Sequence, residues 1–94
     1  MFIYKIIKLV LKKQNLFKLY PSPAKDNLFL SVVDFIGTTK IEIRDITGRT
    51  LKTFSTETAG NENTRLDISG LKPGMYLLSA TNKGKRITGK FLVE

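Results

Sequence analysis

Apolar and polar residues alternate strictly in several short stretches of the chain. In the stretch 40–45, Ile41 and Ile43 alternate with charged residues, and Leu66 and Ile68 alternate with charged residues in the same way. Because successive side chains of a strand point to opposite faces, a two-residue period predicts strands with one face in the core and one in water.

Six short runs rich in strand-forming residues, some of them alternating in this way, follow one another at intervals of about ten to twelve residues, with glycine-containing turn signals between them. Two of them, 28–33 and 75–78, are apolar on both faces, which is typical of strands near the middle of a sheet. No helix-length pattern interrupts the series. The pattern predicts an all-β fold, a small immunoglobulin-like antiparallel β-sandwich of six to seven strands. The predicted strands are 28–33, 40–45, 50–55, 64–68, 75–81 and 86–93.

Residues 1–18 have a different character. Their apolar residues follow helical spacing with lysines between them, and they hold five of the sixteen basic residues and no acid. Three interpretations remain open: an incidental leader or remnant of a longer chain, a helix that docks on a membrane or partner, and a degenerate export signal. Lys8 interrupts the apolar run, no small-residue cleavage site follows, and the segment is too short to span a bilayer. We expect the folded domain at 19–94, where Pro21 and Pro23 indicate a boundary before a first strand.

Composition removes most catalytic chemistry from consideration. The 94 residues allow one domain, and they include no His and no Cys. The chain therefore lacks disulfides, thiolate chemistry, the commonest zinc ligand and the commonest general base at neutral pH. The absence of Cys does not identify the cellular compartment. No cofactor, metal site or catalytic residue is expected. Of the net charge of +8, residues 19–94 carry only +3, because eleven basic residues face eight acidic ones there. This balance argues against nucleic-acid binding.

One stretch imitates a phosphate-binding loop. The sequence GKRITGKF at 84–91 satisfies G-x-x-x-x-G-K, but a P-loop needs a helix after it, and only four residues follow Lys90. Ile87, Phe91 and Val93 instead share an every-second-residue phase. We predict a hairpin turn at 82–84 followed by a final strand.

The stretch LDISGLKPGMYLL at 66–78 predicts a corner typical of immunoglobulin-like sandwiches. Pro73 sets a turn, Gly74 permits a positive φ, and Tyr76 can bury its ring while its hydroxyl bonds back to the main chain.

Four segments, in order, resemble one known family: LYPSPAKDNLFLS, IRDITGRTL, LDISGLKPGMYLL and the ending GKRITGKFLVE. They are similar to the C-terminal sorting domain of proteins exported by the type IX (Por) secretion system of Bacteroidota. The resemblance covers residues 19–94. It implies a seven-stranded immunoglobulin-like sandwich that acts as a folded sorting signal and not as an enzyme. The outer-membrane translocon would recognise it after export to the periplasm, and a sortase-like cysteine protease would then remove it, delivering a cargo to the cell surface or medium.

The resemblance also implies roles for individual residues. Ser22 replaces the usual Asn of the family's opening Pro-Asn-Pro. Residues that match family motifs and that any such sandwich would need for structure are Pro21, Pro23, Gly48, Gly74 and Tyr76. The basic and apolar ending is implied to be what the translocon recognises, namely Lys85, Arg86, Lys90, Phe91, Leu92, Val93 and Glu94.

Two alternatives stay open. One is an immunoglobulin-like or fibronectin-like adhesion or protein-interaction module, which would bind through loop tips such as 56–63. The other is an enzyme, which would depend on a single Asp or Lys. In this family the sorting domain lies after a signal peptide and a cargo domain of the same chain, and residues 1–18 resemble neither. We therefore expect this chain to be the tail of a broken or split precursor, or a remnant without an export role.

Overall fold

The computed structural model describes residues 17–60 and 63–94, which form two antiparallel sheets. One sheet has the order β1-β2-β5 and the other the order β4-β3-β6-β7. A single apolar core draws on both sheets, so the predicted immunoglobulin-like sandwich is confirmed. The seven strands are β1 (Phe17–Tyr20), β2 (Asn27–Val32), β3 (Ile36–Asp45), β4 (Thr50–Ala59), β5 (Asn63–Asp67), β6 (Gly74–Asn82) and β7 (Lys85–Val93).

The predicted alternation of apolar and charged residues determines which side chains enter the core. Ile41 and Ile43 of β3 are fully buried, as are Leu66 and Ile68, while the charged residues between them lie on the outer faces. The two runs that are apolar on both faces form β2 and β6, and each has a hydrogen-bonded neighbour on both sides. Their position agrees with the expectation for central strands.

The first strand was not predicted. β1 pairs with β2 from Phe17 opposite Val32 to Tyr20 opposite Phe29, and the rings of Tyr20 and Phe29 stack with centroids 5.5 Å apart. Pro21 and Pro23 therefore lie between the first and second strands, which corrects the expectation that they precede the first strand. Residues 1–16, with the predicted amphipathic segment, lie outside the described residues, and the division of the chain at 18/19 stays a prediction.

β3 and β4 are longer than the pattern indicated. Because β4 continues to Ala59 and β5 begins at Asn63, the proposed loop at 56–63 reduces to residues 60–62. At this end of the sandwich, the buried side chains of Thr39, Thr58 and Asn82 bond to one another and to main-chain oxygens, and none of the buried side-chain polar atoms described lacks a partner. Most of the stretch 56–63, which the adhesion alternative placed at a loop tip, therefore belongs to β4 and β5.

No helix long and apolar enough to cross a membrane occurs among residues 17–60 and 63–94.

Candidate recognition site on the last strand

A two-residue turn joins β6 to β7 and sets their register. Lys83 and Gly84 both have positive φ angles, 48° and 82°, as a tight hairpin turn between twisted strands requires. Asn82 therefore faces Lys85, and the pairing continues without a break until Gly74 faces Val93. The predicted hairpin is confirmed. The G-x-x-x-x-G-K stretch lies in this turn and strand, so it forms no phosphate-binding loop.

The residues predicted to be recognised fall into two groups, because β7 alternates between the core and solvent. Phe91 and Val93 point inward, where they are only 1% and 5% exposed, and the ring of Phe91 stacks on Tyr76 with centroids 5.8 Å apart. A partner cannot reach these two side chains without unfolding the strand. Their contribution is to hold β7 in the sandwich.

The other group is Arg86, Lys90 and Leu92. Together with Thr88, which was not among the predicted residues, they form what we call the outer row of β7. All four are exposed and lie on the outer face of the four-stranded sheet. Lys90 stands about 13 Å from Arg86 along the strand. The two remaining predicted residues flank this row, Lys85 next to the turn and Glu94 after the end of the strand.

The outer row has apolar and polar neighbours on β6 that the sequence analysis missed. Leu92 faces Met75, and both side chains remain more than 40% exposed, at 41% and 43%. Lys90 faces the half-buried Leu77, and Arg86 Nη2 donates a 3.4 Å hydrogen bond to Ser79 Oγ. The turn at 83–84 could have predicted these neighbours from the sequence, because a two-residue turn determines every cross-strand pair that follows it.

The segment between β1 and β2 secures the end of β7. Ala24 N donates to Leu92 O at 2.7 Å, and Glu94 N donates to Ala24 O at 2.9 Å. Leu92 N donates to Ser22 Oγ at 3.4 Å. We call these contacts the Ser22–Ala24 clasp. Pro21 precedes Ser22 and Pro23 lies between Ser22 and Ala24, so this motif helps to hold the C-terminal strand.

The comparisons with known proteins agree with this architecture. The family model described as "Secretion system C-terminal sorting domain" matches residues 18–94. The chain belongs to this family. A solved structure of PorZ, described as an essential bacterial surface component of the type IX secretion system of Porphyromonas gingivalis, has a similar fold, with a TM-score of 0.60 and 19% identity. That similarity covers 83% of this chain and 11% of PorZ. No curated protein matches the chain.

The family motifs of this sorting domain meet at one end of the sandwich. The predicted corner is confirmed, since Tyr76 Oη donates a 2.5 Å hydrogen bond to Lys72 O. Tyr76 is paired with Asp45 of β3 on one side and with Phe91 of β7 on the other. Gly74, with its predicted positive φ of 153°, pairs with Val93. The corner thus contacts the C-terminal strand directly.

Gly48 lies in the turn that follows Asp45. Its φ is 95°, and its N–H donates to Asp45 O at 3.0 Å. One carboxylate oxygen of Asp45 accepts hydrogen bonds from the hydroxyl and N–H of Thr47 and from the N–H of Arg49. The Thr47 hydroxyl, first among these donors, holds the pKa of Asp45 below its ordinary 3.8. The carboxylate of Asp45 therefore organises the turn.

A second carboxylate, that of Asp67, also accepts hydrogen bonds from a residue close to it in sequence. Asp67 Oδ1 accepts bonds from the hydroxyl and the N–H of Ser69, and these bonds lower the pKa of Asp67 from 3.8. Within the described part of the sorting domain, His, Cys, Asp and Glu nowhere form a group of three that could hold a metal ion.

Proposed function

We propose that this sorting domain directs a cargo across the outer membrane by presenting the outer row of β7, while folded, to the type IX translocon. The observation that carries the proposal is the alternation of β7. It keeps Phe91 and Val93 in the core and leaves Arg86, Lys90 and Leu92 exposed on one face. The family membership established above supplies the sorting role.

The chemistry of the row suits recognition by a protein surface. Two cations flank one hydroxyl, and Leu92 together with Met75 adds an exposed apolar pair beside them. Apolar side chains at the centre of a contact supply affinity, whereas charges at its rim steer approach and favour the correct partner. Lys85 and Glu94 would act at the two ends of the row.

The remaining motif residues serve the scaffold in this proposal. The Ser22–Ala24 clasp and the corner at Tyr76 hold β7 at the edge of its sheet, and the turn at Gly48 closes the neighbouring hairpin. A sortase-like cysteine protease would remove the domain after passage by cutting before Phe17, because β1 is part of the folded sheet. The domain itself would act as ligand and substrate, without a catalytic role, and the cargo would reach the cell surface or the medium.

The test places the 94-residue chain behind a signal peptide and a fluorescent reporter in a host that has the type IX translocon. The variant K90A/L92A removes two exposed side chains, and the control R65A removes an exposed basic side chain on the other sheet. We expect surface signal from the wild type and the control, and at least a tenfold loss from K90A/L92A. Equal delivery by all three would reject the outer row as the recognised surface.

Retention of the wild-type reporter in the periplasm, with the domain folded, would reject the sorting function itself. Point variants are needed because deletion of residues 90–94 also removes Phe91 and Val93 from the core. A loss of export after that deletion would not separate recognition from unfolding.

A further inference from the structure

β7 is the last strand of its sheet, and part of its outer edge is open. In an antiparallel strand the main-chain groups of alternate residues point to opposite sides, so those of Arg86, Thr88 and Lys90 face away from β6. The same side of Leu92 and Glu94 is occupied by the Ser22–Ala24 clasp. Among the described residues, none pairs with β7 between the turn and the clasp on this side. The open stretch from Arg86 to Lys90 is about 13 Å long.

An apolar groove of about 390 Å³ runs beside the first part of this edge. Its apolar wall includes Val33, Phe35 and Ile87, and Val33 is 42% exposed. A strand added to the edge at Arg86 would direct every second side chain toward this groove. Asp34, Lys85 and Arg86 also line the groove, and its apolar wall is what fits apolar side chains.

The charges of the edge determine what kind of strand can bind. Basic side chains on an edge strand discourage pairing with other strands unless the incoming strand carries the opposite charge. If two copies of the chain paired antiparallel about Thr88, Arg86 of one copy would stand opposite Lys90 of the other. Like charges directly opposite each other destabilise such a pair. A second copy is therefore a poor occupant, and a strand with acidic residues on its outer face is a good one.

We propose that the open edge of β7, from Arg86 to Lys90, pairs with an extended strand of the partner protein that alternates acidic and apolar residues. The acidic side chains would lie beside Arg86 and Lys90 on the outer face, and the apolar ones would face the groove. Main-chain hydrogen bonds from Arg86, Thr88 and Lys90 would supply affinity, and the alternating side chains would supply specificity. This inference rests on the proposed function and names the partner's chemistry.

The first experiment is a titration of the isotope-labelled 94-residue chain with a capped seven-residue peptide of alternating Glu and Val, followed by NMR. We expect chemical-shift changes and slower amide exchange at Arg86, Thr88 and Lys90, and at least tenfold weaker binding of the matched Lys-Val peptide. Equal binding of the two peptides, shifts confined to other strands, no binding, or dimerisation of the free chain through β7 would overturn the inference.

Variants separate main-chain pairing from charge. T88P removes the central N–H and should weaken binding of the Glu-Val peptide at least fivefold, whereas T88V retains that N–H and should bind as the wild type does. R86E should weaken binding similarly, while R65E makes the same charge change on the other sheet and should leave it unchanged. R86E keeps the inference testable if T88P does not fold.

Export of the same variants distinguishes the two proposals. If the wild type delivers the reporter and folded T88P delivers it equally well, the edge inference fails and the sorting function stands. If the wild type delivers nothing, the sorting function fails, and the peptide titration alone decides whether the edge pairs with an acidic strand.

Discussion

Replacement of Phe91 by Ala, compared with replacement of its neighbour Leu92 by Ala, tests the alternation on which the functional proposal depends. Phe91 is 1% exposed and packs on Tyr76, whereas Leu92 is 41% exposed. Truncation of a buried Phe costs about 3–5 kcal/mol, because the transfer free energy and a cavity term add. For the half-exposed Leu92 we expect a cost of about 1 kcal/mol or less.

These costs are large relative to the stability of so small a domain, which is about 4–12 kcal/mol. One kcal/mol lowers Tm by about 4–8 °C in a domain of this size. F91A should therefore lower Tm by at least about 12 °C, and L92A by no more than about 8 °C. Thermal unfolding followed by circular dichroism measures both values, with urea titration as an independent check on the free energy of unfolding.

The reporter assay completes the comparison. F91A should lose surface delivery in proportion to the fraction of domain that is unfolded, and growth at lower temperature should restore it. L92A should lose delivery while it remains folded, and temperature should not rescue it. A Tm for F91A within about 4 °C of the wild type would refute the placement of Phe91 in the core, and with it the assignment of recognition to the alternate residues.

Three further predictions concern the scaffold. Y76F removes the corner hydrogen bond and should cost about 0.5–1.5 kcal/mol in the free energy of unfolding, measured by urea titration; an unchanged midpoint would contradict that role. G89A places a methyl group 2.9 Å from the ring of Phe17 and should cost about 1–3 kcal/mol. Amide exchange should accelerate in β1 first, and F17L/G89A should recover part of the loss; uniform exchange would show that the contact does not form. For Asp45, whose pKa is lower in the folded than in the unfolded state, the stabilisation is complete above the ordinary pKa of 3.8 and is lost as pH falls through the folded pKa. The urea midpoints of wild type and D45N should therefore approach each other as pH falls below 3.8, and a difference that does not change with pH would count against the turn.

Local sequence patterns were sufficient to predict much of the fold. The period of two at Ile41 and Ile43, the Asn-Lys-Gly turn after Asn82, and the Pro-Gly-x-Tyr corner each depend on residues close in sequence. Side-chain direction in a strand and φ in a tight turn are decided over two to four residues, so these features were predicted correctly. The order of the four motifs also indicated the family.

Contacts between distant segments account for what was missed. β1 has only four residues, and it is held by pairing with β2 and by packing of Phe17 and Leu19 against Gly89. The clasp joins Ser22 to Leu92 across 70 positions, and a short polar residue between two prolines gives no local sign of that partner. Ser22 Oγ accepts the bond as the side-chain oxygen of an Asn could, which gives a physical reason why Ser can stand at this position.

The sequence by itself determined which residues of β7 are basic and which are apolar, and its period of two determined that they alternate. Only the tertiary structure decided which of the two rows enters the core, that the Ser22–Ala24 clasp covers the end of the strand, and that the edge from Arg86 to Lys90 stays open. The reason is that alternation is a property of one strand, whereas burial and an open edge depend on every element packed around it.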